Sequence, residues 1–136
     1  MAVFPYVSFD RNGKKFFKPL VPVVLKYKPT HKIIPATYAL IDSGADVCLC
    51  STQIGKYLRI NFKKIKTKLS IVSVNGSISA TKPATVHLYI ANKIYPCVFY
   101  FSDRLPKETP IILGQSGFFT RFKVTFDTEN EKILIT

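Results

Sequence analysis

Residues 38–50 read Tyr38-Ala39-Leu40-Ile41-Asp42-Ser43-Gly44-Ala45-Asp46-Val47-Cys48-Leu49-Cys50, and their reading decides the fold. An apolar run enters, Asp-Ser-Gly makes a tight turn, and a second apolar run leaves. The pattern is strand, turn, strand, with an acid set between two elements that both favour burial. Burial disfavours the charged form of a carboxylate by up to several pK units. An acid kept in such a place is expected to do chemistry. Further along, Ile111-Ile112-Leu113-Gly114 gives three apolar residues and a glycine ahead of Phe118-Phe119.

Outward from these segments, strand signals dominate. Val3 to Asp10 and Lys14 to Lys18 flank Asn12-Gly13, a strong hairpin signal. Leu20 to Tyr27 is rich in valine, and Pro19 and Pro22 place it at an edge, because proline donates nothing to a ladder. Ile33 to Ile41 enters the Asp42 turn. Ser51 caps a short helix reaching Leu58, weakened by Gly55. Leu69 to Val74 and Ser77 to Thr81 flank Asn75-Gly76 as a second hairpin. Val86, Leu88 and Ile90 alternate with His87 and Tyr89 as a half-buried strand. Ala91-Asn92-Lys93 turns into a strand from Ile94 to Phe101. One or two helical turns are expected over Gln115 to Arg121, then strands Phe122 to Asp127 and Lys132 to Thr136. Short strands at regular spacing mean an all-β barrel or sandwich.

With 136 residues, 47% of them apolar, the chain has material for one domain spanning 1–136 and its core. No stretch approaches the roughly 18 apolar residues of a membrane span, and the N-terminal residues turn polar too soon for a signal peptide. Cys48, Cys50 and Cys97 are an odd number. Cys48 and Cys50 share a strand face and are poorly placed to bridge each other. Free buried thiols in a reducing cytoplasm are expected. They form no Cys-x-x-Cys spacing, no His-x-x-x-His occurs, and neither a metal site nor a Cys–His nucleophile is expected. Gly114-Gln115-Ser116-Gly117 is not a Gly-x-Ser-x-Gly elbow.

Net charge is +12, which raises the question of nucleic acid. The lysines are scattered, however, and the dense run Lys63-Lys64-Ile65-Lys66-Thr67-Lys68-Leu69 alternates at period two as the wet face of a strand would. It lacks the interleaved aromatics of a single-strand binder, which argues against a nucleic-acid partner.

Together, Asp42-Ser43-Gly44-Ala45 and Ile112-Leu113-Gly114 resemble the half-site of the retropepsin-like aspartic proteases, in which an Asp-Thr/Ser-Gly-Ala turn is followed by an apolar-apolar-Gly segment. The likeness runs over roughly residues 33–126, with the Asn75-Gly76 hairpin where the family has its flap. It implies a single-domain acid-protease barrel with a flap hairpin and one short helix after the Ile-Leu-Gly segment. With one Asp-Ser-Gly in the chain, it also implies a homodimer that hydrolyses extended peptides with neither metal nor cofactor. By the same resemblance Asp42 is catalytic, the Ser43 hydroxyl bonds to the partner's turn, and Gly44 lets substrate approach. Ala45, Asp46, Val47 and Leu49 line the cleft, Ile112 forms a subsite, and Val74, Asn75 and Gly76 belong to the flap. Three positions depart from the retroviral pattern. Ser43 stands where most retroviral members have threonine, the flap has a single glycine, and Gln115 replaces an arginine that pairs with the acid at the position of Asp46. Residues 115–119 look more like cellular and bacterial members. An inactive or self-processing module for binding or regulation, or a basic nucleic-acid-binding β-barrel, remain as alternatives.

Overall fold

The computed structural model describes residues 1–72 and 76–136. In chain order the strands are β1 (Ala2–Pro5), β2 (Val7–Arg11), β3 (Lys14–Lys18), β4 (Leu20–Tyr27), β5 (Lys32–Ile41) and β6 (Cys48–Ser51), followed by helix α1 (Thr52–Tyr57). Then come β7 (Leu69–Val72), β8 (Ile78–Ile90), β9 (Lys93–Ser102), β10 (Ile111–Leu113), β11 (Val124–Asp127) and β12 (Lys132–Ile135).

Two hairpin turns hold positive φ at both central positions, eased by Asn12, Gly13 and Asn92. Asn12 and Gly13 (φ 52° and 77°) join β2 to β3, and Ala91 and Asn92 (51° and 62°) join β8 to β9. Positive φ at both central positions is the turn whose twist matches that of a hairpin. Helix α1 starts as expected: the Ser51 hydroxyl accepts the Gln53 N–H at 3.2 Å. Gly55, unfavourable for helix propensity, is required by packing, since a Cβ there would lie 2.4 Å from Phe62 Cζ.

Six strands close into a barrel in the order β4-β5-β10-β6-β9-β8, and β8 returns to β4 through Val24–Lys26 against Tyr89–His87. Closure leaves these strands no open edge there. The β10–β5 and β6–β9 pairs are parallel, and the other neighbours around the ring are antiparallel. The inward residues alternate: Val21, Val23 and Leu25 on β4, Val86 and Leu88 on β8, Phe99 and Phe101 on β9, all essentially solvent-free. Each such side chain contributes about 1.5–3 kcal/mol relative to exposure. Outside the barrel, β1-β12-β11 form a three-stranded sheet whose Ile133 and Ile135 reach the core, and β2-β3 form a two-stranded sheet of their own.

Several expectations are corrected. Val3 to Asp10 is two strands rather than one: it breaks at Tyr6, whose N–H donates to Glu131 O at 3.0 Å, so that β1 joins β12 while β2 joins β3. Strand β4 is flanked on both sides and is no edge. Its pairing with β8 begins at Val24, past both Pro19 and Pro22, so neither proline interrupts that ladder. Strand β8 runs unbroken through Pro83, where two strands were expected, and carries β7 on its first half and the barrel on its second. The lysine run is no strand: Phe62–Lys64 make a 3-10 turn and residues 65–68 have no regular structure. The helix expected after Ile-Leu-Gly is a chain of turns. Phe119 and Thr120 N–H groups donate to the carbonyls of Gly114 and Gln115, five residues back, and Gly117 has φ +108°. Those bonds are too wide for an α-helix. The one α-helix among the described residues is α1.

Candidate active site

The Asp42 turn is held from below by the segment that follows β10. The Asp42 N–H donates to Leu113 O at 3.0 Å, Gln115 N–H to Ala45 O at 2.8 Å, and Ser116 N–H to Asp46 O at 2.9 Å. Val47 forms an isolated parallel bridge with Ser116. Gly114 is needed for this approach, because a Cβ would sit 2.3 Å from Val47 O and 2.6 Å from Ala45 O. The two segments singled out in the sequence are therefore one unit: the glycine after the apolar run lets that run pass against the acid-bearing turn.

Within the turn, Asp42 Oδ1 accepts the Gly44 N–H at 2.9 Å, and Ala45 N–H donates to Asp42 O at 3.2 Å. The first bond fixes the carboxylate and leaves Oδ2 available. Asp42 is half-buried, while Ser43, Gly44 and Asp46 are exposed and Ala45 and Val47 are half-buried. The carboxylate thus lies less deep in the single chain than the flanking apolar runs suggest. The Ser43 carbonyl is pinned by Gln115, whose Nε2 donates to it at 2.8 Å. This is the contact made by the residue that replaces the retroviral arginine: it braces the turn itself, and Asp46 is reached instead through the Ser116 backbone.

Leu49 and Ile112 sit directly opposite each other on β6 and β10. Leu40 on β5 is the next neighbour of Ile112, and Tyr100 on β9 is the next neighbour of Leu49. These four make one row across the barrel wall. They alternate with core residues Ile41, Leu113, Cys50 and Phe101, so the row faces away from the core, in line with the residue two places before Asp42. Leu40 and Tyr100 escaped sequence reading because a cross-strand row depends on register, which the sequence leaves open.

The hairpin of β7 and β8 is present, with exposed Val72 opposite exposed Ile78 and Gly76 at φ +84° beyond them. Val74 and Asn75 lie outside the described residues. An open groove of about 630 Å³ runs between β1, β4 and the β8–β9 turn, lined by Phe4, Val23, Ala36 and Tyr89 among others, and none of the predicted site residues among the described ones lines it.

Beneath the bracing segment are two thiols. Both Cys97 Sγ (3.1 Å) and Cys48 Sγ (3.2 Å) crowd the place where a Cβ on Gly117 would stand. Cys48 Sγ also lies 3.6 Å from Ser116 O. The Cys97 thiol holds Cys48 below the usual thiol range by hydrogen bonding, while that bond and burial push Cys97 up. Burial pushes Cys50 up. All three cysteines are free and buried, as expected. Among the described residues no group of His, Cys, Asp and Glu is arranged to hold a metal, and no helix is long and apolar enough to cross a membrane.

No family model and no curated protein matches this sequence. Solved structures do match by shape. A retropepsin-like aspartic protease from Rickettsia conorii superposes with a TM-score of 0.62 at 16% identity, covering 98% of this chain and 99% of that one. The retroviral protease-like domain of Ddi1 from Leishmania major gives 0.57 at 15% identity, covering 87% of each chain. The EIAV protease, solved in complex with an inhibitor, gives 0.53 at 20% identity over 79% of this chain and 88% of that one. A closed six-strand barrel, an acid-bearing turn braced by an apolar-apolar-Gly segment and these superpositions lead to one statement: the chain has the retropepsin-like fold.

Proposed function

We propose that residues 1–136 act as one domain, an aspartic-type endopeptidase active as a homodimer in which each chain gives one Asp42. The observation that carries this reading is the fixed carboxylate: Asp42 tied by Oδ1 to Gly44 N–H, on a turn braced by Leu113, Gln115 and Ser116. Such bracing supplies the preorganisation that acid–base catalysis needs.

Two Asp42 side chains facing each other would share one proton, as is general for aspartic-protease pairs. The ionised member takes a proton from a water held between them, and the water oxygen attacks the scissile carbonyl carbon. The protonated member hydrogen-bonds the carbonyl oxygen as it gains charge. Collapse breaks the C–N bond, and the departing amine takes a proton from the dyad. Substrate lies extended against Ala45, Asp46 and Val47, with Leu49 and Ile112 as apolar subsites and the hairpin bearing Val74, Asn75 and Gly76 as its cover. Cleavage between bulky apolar residues follows. Self-association is supported by the terminal sheet, whose outer strands β1 and β11, among the described residues, each pair on one side and expose Val3 and Phe126. The free thiols fit a reducing, cytoplasmic location.

The Asp42→Asn variant tests this reading. Cleavage of a fluorogenic apolar peptide should fall at least about a thousandfold, with the unfolding midpoint and sedimentation unchanged. A variant that still cuts overturns the assignment. Gln115 and Ser43 favour a second reading, a non-catalytic module for binding or regulation on the same fold. A wild-type chain that stays monomeric and silent toward peptides and transition-state mimics would select it.

A further inference from the structure

The scattered basic residues of the N-terminal region are gathered by folding into one arm. Residues 7–18 carry Arg11, Lys14, Lys15 and Lys18 against Asp10 alone. They form the two-stranded sheet β2–β3, which among the described residues pairs with no other strand. Register puts Arg11 opposite Lys14, Phe9 opposite Phe16, and Val7 opposite Lys18, and alternation sets these three pairs on one face. The Phe9 and Phe16 rings stack at 5.7 Å and 25°. Lys18 Nζ lies 5.0 Å and Arg11 Cζ 5.7 Å from the Phe9 centroid. Phe16 remains 43% exposed, and on the opposite face Phe17 is 41% exposed beside Lys15.

Left alone, this arm is poorly satisfied. An isolated two-stranded hairpin is marginal in water, and like charges directly opposite, as at Arg11 and Lys14, destabilise it. A polyanion relieves the charge, and exposed phenylalanine rings ask for flat apolar surface. Those two demands meet in a nucleic acid whose base faces are open. A duplex hides its base faces, and an acidic peptide brings charge without rings. The positions bearing the cations lie two residues from the ring pair in both directions, about 6.7 Å of backbone rise, a step comparable to one residue of an extended nucleotide backbone. We propose that the β2–β3 arm binds single-stranded nucleic acid, with a base on the exposed Phe16 ring and the flanking phosphates at Arg11, Lys14 and Lys18. The aromatic interleaving missing from residues 63–69 is present here. The +12 charge of the whole chain draws a polyanion toward it. This inference is independent of the role of Asp42.

The test uses the full chain and a fluorescein-labelled oligo-dT of about twelve nucleotides, followed by anisotropy across a salt series. Wild-type protein should bind at low salt. Phe16→Ala should weaken binding about tenfold at fixed salt. The Arg11→Gln/Lys14→Gln pair should flatten the slope of log K against log salt by about 1.4. All variants should keep the unfolding midpoint of the barrel. Absence of binding at low salt overturns the proposal, as does binding indifferent to these substitutions. Equal preference for duplex, or competition by poly-glutamate as strong as by oligo-dT, would assign the arm to polyanions generally and also overturn it. If Phe16→Ala altered sedimentation and left oligo-dT affinity intact, the arm would be a contact for a second copy, and the proposal would fail.

Discussion

Two turns of this molecule are spelled with nearly the same residues and live in opposite surroundings. Asp42-Ser43-Gly44 is braced from below, with three backbone bonds and the Gln115 side chain holding it to the segment after β10. Asn12-Gly13 projects with nothing within 4 Å of a Cβ at Gly13. Both exploit the ease with which Asp, Asn and Gly turn a chain. What separates them is the second layer: at Asp42, β10 and its trailing loop pack against the turn, whereas among the described residues the β2–β3 arm pairs only with itself. A turn motif becomes a candidate site through what packs beneath it.

The contrast can be attacked in order of size. Gly114→Ala brings a methyl group against the carbonyls of Val47 and Ala45, backbone atoms that cannot swing away. It should cost about 3 kcal/mol by urea unfolding, and a cost under about 1 kcal/mol would mean the bracing is soft. Gln115→Glu replaces an amide donor by a carboxylate facing the Ser43 carbonyl. It should remove about 1 kcal/mol of stability while lowering the rate of the proposed peptidase by a larger factor than that loss alone accounts for, read as kcat separately from KM. Gly13→Ala meets no atom but forces an L side chain to φ +77°. About 1 kcal/mol of local strain is expected. It should appear as faster amide exchange over residues 7–18, with the barrel's midpoint unmoved, and a shifted midpoint would tie the arm to the barrel.

The smallest effect lies at the seam where β4 meets β8. Burial, then Lys28 and Lys26, hold His87 below its ordinary pKa of 6.5. The unfolded chain therefore takes up the proton more readily than the folded one. Stability from this group is present above about pH 6.5 and is lost as pH falls from there through the lower pKa of the folded state. His87→Gln should flatten the stability profile there, and an unchanged profile would exclude His87 as its source.

Much of this was legible from residues alone. The strand-turn-strand around Asp42, the Asn12-Gly13 hairpin and the Ser51 cap are local signals, and locality is what a sequence expresses, whereas the partnership with Ile112-Leu113-Gly114 comes from the family resemblance. Ser77 to Thr81 and the alternation at Val86 to Ile90 read as two strands where β8 is one, because local pattern does not show that a single strand serves two partners. The row of Leu40, Ile112, Leu49 and Tyr100 depends on register across four strands. Gln115 reads as a lost ion pair in the sequence, and only the folded loop directs its amide to Ser43. The lysines looked scattered because cross-strand pairing, which sets Arg11 beside Lys14 and Lys18 beside the Phe9 ring, cannot be seen in linear spacing.

Val24 meets Tyr89 across the seam, 65 positions along the chain (89 minus 24). Contacts of that span form late, since long loops must close before they are rewarded. During synthesis Asp42 and its turn emerge long before residues 87–89 can shut the ring, and the Leu113 to Ser116 brace comes later still. A growing chain therefore carries its acid without the architecture that positions it until residues 113–116 have emerged and packed beneath the turn.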